Sequence, residues 1–177
     1  MDISGEKWEK FVYFYNVDNK FLMTTFIGDY TCKIDEKGRT MLPAAFKKVM
    51  PAEARDSFVI KKDIYEKCLV LYPLNEWERQ VEIIRANLNP YNKEHNEFLR
   101  RFYKGTAEVM LDSANRLLIP KRLLDEAGIA REAVLAGQDG KIEVWAKEAY
   151  DSIGAGDDFA SLAEKIMGGA IQKPDKS

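Results

Sequence analysis

Two short stretches of this chain carry an acid and a base at the spacing of a tight turn. They are Asp35-Glu36-Lys37-Gly38-Arg39 and Asp112-Ser113-Ala114-Asn115-Arg116. Their fourth position is Gly in one and Asn in the other, the residue types that most readily take a positive backbone φ. The pattern therefore predicts a turn rather than a helix. In such a turn the carboxylate accepts backbone N–H groups and pairs with the guanidinium at the far end. For Asp35 and Asp112, with Gly38 and Asn115, this is a structural role, since local bonding to the backbone is what Asp does at turns. For Arg39 and Arg116 a second use is open. An Arg fixed by a neighbouring carboxylate in a basic surround presents a planar fork to phosphates and guanine edges.

The basic surround differs between the two turns. From Thr31 to Lys48 the bases Lys33, Lys37, Arg39, Lys47 and Lys48 face Asp35 and Glu36, a local charge of +3. From Glu108 to Asp125 the bases Arg116, Lys121 and Arg122 are cancelled by Glu108, Asp112 and Asp125. The formal net charge of −2 excludes a generally sticky polycation, yet nucleic-acid binding needs only a local basic face. The first turn supplies that face. The count predicts that Arg116 serves stability or assembly more than affinity.

No competing chemistry is apparent. No nucleophile has a base beside it, and Gly154-Ala155-Gly156 is followed by acids that would repel a phosphate. Two cysteines far apart, Cys32 and Cys68, and one histidine, His95, make neither a zinc site nor a disulfide framework. They read as two buried, reduced thiols in strands and a solvated helix residue. The expectation is a protein that is not an enzyme, with no metal and no cofactor. No apolar run reaches the roughly 18 residues of a membrane helix, and the N-terminus resembles no secretory signal. The cytoplasm is the expected compartment.

The elements that position the turns repeat. Gly28, Asp35, Arg39, Leu42 and Pro43 recur 77 residues later as Gly105, Asp112, Arg116, Ile119 and Pro120. Apolar pairs of short strands follow each copy, Ser57–Ile60 with Leu69–Tyr72 and Ala133–Ala136 with Ile142–Trp145. A unit of roughly 45 to 50 residues is too small to bury its own apolar face, so the copies are expected to share one core, and two of them interleaved would suffice. Pro43 and Pro120 suit the start of a short helix, and Gly128 suits the residue past the end of the second.

Between the copies a helical pair is expected. The first helix would be capped by Asn75, with Glu78 reciprocal and Trp77, Val81, Ile84 and Leu88 as its stripe. The second would run from about Asn92 to Phe102, with Phe98, Leu99 and Phe102 apolar. These stripes could serve subunit contacts or internal packing. Phe159, Leu162, Ala163 and Ile166 predict a short C-terminal amphipathic helix, and Gln172–Ser177 a disordered end.

These motifs resemble the MraZ family of bacterial regulators, which are built from two SpoVT/AbrB-like units. The resemblance rests on Phe26-Ile27-Gly28-Asp29-Tyr30, the turn Asp35 to Arg39 with Leu42-Pro43, and Leu71-Tyr72-Pro73-Leu74 with Glu76-Trp77. It continues through Asp112 to Arg116 with Leu117 to Pro120, and Val134 to Gly137 with Glu143-Val144-Trp145. It covers about residues 26 to 150. Asn115 departs from the Gly common in the second turn, and the chain extends at both ends.

The resemblance implies an α+β fold whose core is a swapped-hairpin β-barrel formed by two pseudo-symmetric halves. The expected organisation is an N-terminal extension at 1–22, repeats at 26–75 and 103–147, a helical connector at 76–102, and a C-terminal helix and tail at 148–177. It further implies ring-shaped homo-oligomers bound to double-stranded DNA at direct repeats in the promoter of their own operon, the division and cell wall gene cluster, as repressors on the nucleoid. Arg39, Lys37 and Lys33 would contact DNA by motif match, with Lys47 and the second copy's Arg116 and Lys121 as further candidates. A ring-forming structural or antitoxin-like protein using the Trp77 to Leu88 stripe is the alternative. Family members commonly begin near Phe26, so Met23 is a candidate start; the aromatics Trp8, Phe11, Tyr13 and Phe14 argue instead for a real arm.

Overall fold

The computed structural model describes residues 24–54, 56–156 and 158–168. The expectations for residues 1–22, for Met23 and for Gln172–Ser177 lie outside them. Two units are present, one through Lys147 and one from Glu148 onward.

In the first unit each copy follows the same course. A strand (β1, Asp29–Lys33) leads through the Asp35 turn into a three-residue strand (β2, Arg39–Met41) and a short helix (α1, Ala44–Val49). A 3-10 turn at Ala52–Ala54 precedes a hairpin, β3 (Ser57–Lys62) and β4 (Leu69–Pro73). The helices α2 (Leu74–Asn87) and α3 (Lys93–Tyr103) follow. The second copy then repeats the sequence of elements as β5 (Ala107–Met110), β6 (Arg116–Leu118), α4 (Lys121–Glu126), β7 (Glu132–Gln138) and β8 (Lys141–Ala146).

The copies exchange strands. The main sheet is antiparallel, in the order β1-β7-β8-β4-β3-β5. The first strand of each copy thus pairs with the hairpin of the other, Thr31 opposite Val134 and Val109 opposite Phe58. The two hairpins meet along β4 and β8, with Val70 opposite Glu143. β2 and β6 form a separate ribbon. The α+β class and the interleaving hold. The sheet does not close by a continuous ladder, however: β1 and β5 are its edges, joined to the ribbon by packing and a Leu111–Leu117 bridge. Strands of three residues running into Pro43 and Pro120, which have no N–H to donate, are too short to carry a ladder around.

The core lies between sheet, ribbon and short helices. Phe46 of α1 is fully buried and meets Phe26 and Tyr30 edge-on, at centroid distances of 5.4 and 5.1 Å. Leu117 of the ribbon and Leu123 of α4 fill equivalent space. Strict alternation brings this about: Thr40 and Leu117 point inward while the residues on either side of them point out.

The helical pair packs against the first hairpin. Trp77 stacks on Phe102 at 5.5 Å and 9°, and also meets Tyr72 and Tyr103. Val81 is buried, so the front half of the Trp77–Leu88 stripe is spent internally. The expected Asn75 cap is not formed. β4 runs straight through Pro73, which becomes the cap residue, and places Asn75 inside the first turn with its Oδ1 buried and unpartnered among the described residues. Glu76 organises this turn instead, accepting from Arg79 at 2.6 and 2.9 Å and from Gln80 at 2.8 Å. α3 begins close to the expected place and is capped by Asn92, which accepts from the N–H groups of Glu94 and His95. His95 is not merely solvated: its Nδ1 accepts from the Asn89 N–H at 2.8 Å. Cys32 is half-buried in β1, while Cys68 is buried one residue before β4 begins, its thiol pushed up to about 12 first by burial and then by nearby carboxylates.

In the second unit Asp158 caps a helix, α6 (Phe159–Met167), which exposes Phe159, Leu162 and Ile166. A short helix, α5 (Lys147–Asp151), precedes it. No helix among the described residues is long and apolar enough to cross a membrane.

Candidate nucleic-acid interface

The two turns are built alike, atom for atom. Asp35 Oδ1 accepts from the backbone N–H groups of Lys37 and Arg39 at 3.0 and 2.8 Å, and Oδ2 accepts from Arg39 Nε at 2.6 Å. Asp112 does the same with Ala114, Arg116 and Arg116 Nε at 2.9, 2.9 and 2.8 Å. Gly38 at φ +88° and Asn115 at φ +58° make the left-handed step that each turn requires. The Arg39 backbone N–H, followed by its guanidinium and the Lys37 N–H, holds the Asp35 carboxyl below the usual range; Arg116 and Ala114 act on Asp112 in the same way. Each carboxylate is thus ionised, and among the described residues each guanidinium is tethered through Nε.

The turns also lock to one another across the copies. The Gly38 carbonyl accepts from the Ile119 N–H at 2.9 Å, and the Asn115 carbonyl from the Leu42 N–H at 3.0 Å. Beneath each turn lies the helix of the other copy. A Cβ at Gly38 would meet the Ile119 carbonyl at 2.8 Å and Leu124 of α4 at 3.4 Å. At the equivalent place Lys47 of α1 donates to Asn115 Oδ1. Gly over Leu in one half becomes Asn over Lys in the other, which accounts for the two residue types at the fourth position.

This geometry sorts the candidate residues. In the ribbon Arg39 stands opposite Leu118 and Met41 opposite Arg116, and all four point away from the core. Both arginines therefore share one outward face, about a third exposed, and their Nη groups make no hydrogen bond among the described residues. The charge count separates the copies; the ribbon joins them. Lys37 is exposed beside Arg39 at the tip of its turn. Lys33 is exposed at the end of β1, opposite Glu132. Lys121 is exposed at the first turn of α4. Lys47 is engaged elsewhere, with Asn115 and, at 3.8 Å, with Asp56, so it ties the halves together.

Two residues of this face were not singled out from the sequence. Met41 and Leu118, exposed by 51% and 54%, lie between the arginines. Period-two alternation from Arg39 would have found Met41; finding Leu118 requires the cross-copy register.

A family model described as "MraZ protein, putative antitoxin-like" matches residues 25–101 and again 102–166. The chain belongs to the MraZ family. A protein of Christiangramia forsetii named Transcriptional regulator MraZ is 45% identical over 149 residues, 82% of this chain and 95% of the relative. Relatives of the same name from Flavobacterium psychrophilum and Phocaeicola vulgatus are each 40% identical, covering 82% and 81% of this chain and 94% of their own lengths. The MraZ family is one of transcriptional regulators and not of enzymes. Both halves of the match contain one Asp-to-Arg turn.

Proposed function

We propose that this chain is a DNA-binding transcriptional regulator that presents the β2–β6 ribbon to its operator. The observation that carries the reading is the pair of outward arginines, each pinned through Nε by its own aspartate with the rest of the guanidinium left over. A two-stranded ribbon fits the major groove of B-form DNA, and a guanidinium held in this way can take the O6 and N7 of a guanine. Lys37 and Lys33 add phosphate contacts beside Arg39, with Lys121 on the other copy. The names of the relatives support the same reading.

The finer assignment follows the family resemblance. The operator consists of direct repeats in the promoter of the protein's own operon, the genes controlled are those of the division and cell wall cluster, and the effect is repression on the nucleoid in the cytoplasm. A single small face gives limited contact, so a homo-oligomeric ring that holds identical faces in register raises avidity by roughly 10²-fold or more. The antitoxin-like alternative finds less support, because Trp77 and Val81 of its stripe pack internally.

The test is fluorescence anisotropy on DNA from upstream of the protein's own gene, with one box or several, beside light scattering. Binding that steepens with box number, falls with salt and accompanies a mass several times that of the chain supports the reading. Equal affinity for one box and many, or a monomeric mass, contradicts the ring. Binding to no upstream fragment at low salt contradicts the regulator.

A further inference from the structure

The last turn of α3, the end of β3 and α4 enclose a cavity of about 530 Å³, beyond the opposite end of β5 from the Asp112 turn. Its wall holds five cations, Lys61, Lys62, Arg101, Lys104 and Arg122, against two carboxylates, Asp63 and Glu126. In a chain whose net charge is −2 this is a marked local excess. Arg101 is paired with Glu97 at 2.9 Å, which leaves four cations against the two carboxylates of the wall. Glu126 is shared between Lys62 at 3.6 Å and Arg122 at 3.5 Å, and Lys104 has no ion pair among the described residues.

Lys61 points to an anion most strongly. It is only 5% exposed, yet no carboxylate lies within ion-pair distance of its ammonium among the described residues. One hydrogen bond, to the Lys62 carbonyl at 2.8 Å, uses one of its three donors, and the Phe102 ring lies 4.6 Å away. A buried ammonium with donors to spare is costly unless an acceptor joins it. Burial holds its pKa below the ordinary lysine value, so the charge is carried against a desolvation penalty that an anion would offset.

The remainder of the wall suits the rest of a ligand. Arg122 Nη2 donates to the Gly105 carbonyl at 3.1 Å, and a Cβ at Gly105 would stand 2.7 Å from Arg122 Nη1. The missing side chain at Gly105 thus leaves the guanidinium its place. Phe98, 40% exposed and stacked on the buried Phe102 at 5.9 Å, offers flat apolar surface alongside. A cavity of this volume takes a nucleotide-sized molecule, whereas a DNA duplex cannot bring its backbone to a side chain as buried as Lys61.

We propose that this cavity binds a small phosphorylated molecule of nucleotide size, its phosphate oxygens taken by Lys61, Lys104 and Arg122 and its apolar body lying against Phe98. The site is separate from the ribbon. Isothermal calorimetry on the full chain at physiological ionic strength tests it with adenosine 5′-monophosphate and inorganic pyrophosphate, and with adenosine as the uncharged control. Saturable binding of one phosphate probe per chain is expected, with none for adenosine. Lys61→Met and Arg122→Gln should each weaken it by roughly tenfold while Arg39→Ala leaves it unchanged. If Lys61→Met does not fold, the exposed pair Arg122→Gln and Lys104→Gln decides. No saturable binding of either phosphate probe overturns the proposal. So does unchanged affinity in both exposed variants, loss of binding in Arg39→Ala, or variants that alter only the oligomeric mass, which would mark the patch as a subunit contact.

Discussion

Gly38→Ala tests how the ribbon is held. The new Cβ would stand 2.8 Å from the Ile119 carbonyl oxygen, a backbone atom of the residue just past β6 that the turn locks against. That approach is too close, and the neighbour cannot rotate away as a flexible side chain could. The backbone at +88° adds a left-handed cost of about 1–2 kcal/mol for an L-residue. Relief requires movement at Ile119, whose N–H donates to the Gly38 carbonyl at 2.9 Å, so a hydrogen bond worth about 1 kcal/mol is weakened as well. The sum is about 2–3 kcal/mol, or roughly 4–12 °C in melting temperature for a chain of this size. Differential scanning calorimetry measures it, with Asn115→Gly as the companion. That variant relieves its own left-handed residue but loses the Lys47 contact, and should fall within about 1 kcal/mol of the parent. A Gly38→Ala protein melting within about 1 °C of the parent would refute the interlock.

Other outcomes follow from the same geometry. Lys37→Ala should weaken binding to all DNA sequences and lower the slope of log affinity against log salt by about one, measured by anisotropy across a salt series. Asp35 and Asp112 have folded pKa values below the ordinary 3.8, so their contribution is complete above that value and is lost as pH falls through the lower folded values. The double variant Asp35→Asn, Asp112→Asn should therefore flatten the fall in melting temperature on acidification below about pH 4. Trp77→Ala removes the stack on Phe102 and the contacts with Tyr72 and Tyr103, and should cost about 2–4 kcal/mol in chemical denaturation while loosening α3.

Much of the fold could be read from the residues because it is encoded locally. The 77-residue offset, the Asp and Arg at the ends of each turn and the apolar strand pairs are short-range patterns, and each became the element expected. Long-range pairing was harder. Lys47 counts as a free base until α1 is found beneath the other copy's turn, where Asn115 claims it. Arg116 looks neutralised until the register of β2 against β6 sets it on the face of Arg39. Asn75 carries the chemistry of a cap, but β4 extends one proline further than the pattern suggests, and the cap position passes to Pro73. Lys61 gave no signal, since a strand lysine reads as solvated until Phe102 closes over it.

The most direct measurement is operator affinity, with the melting curve recorded on the same samples, for Arg39→Ala and Arg116→Ala. With both arginines on one outward ribbon face, each substitution should cost about 1–3 kcal/mol of specific binding and leave melting little changed. Retained operator affinity in both folded variants would contradict the ribbon as the DNA-reading surface.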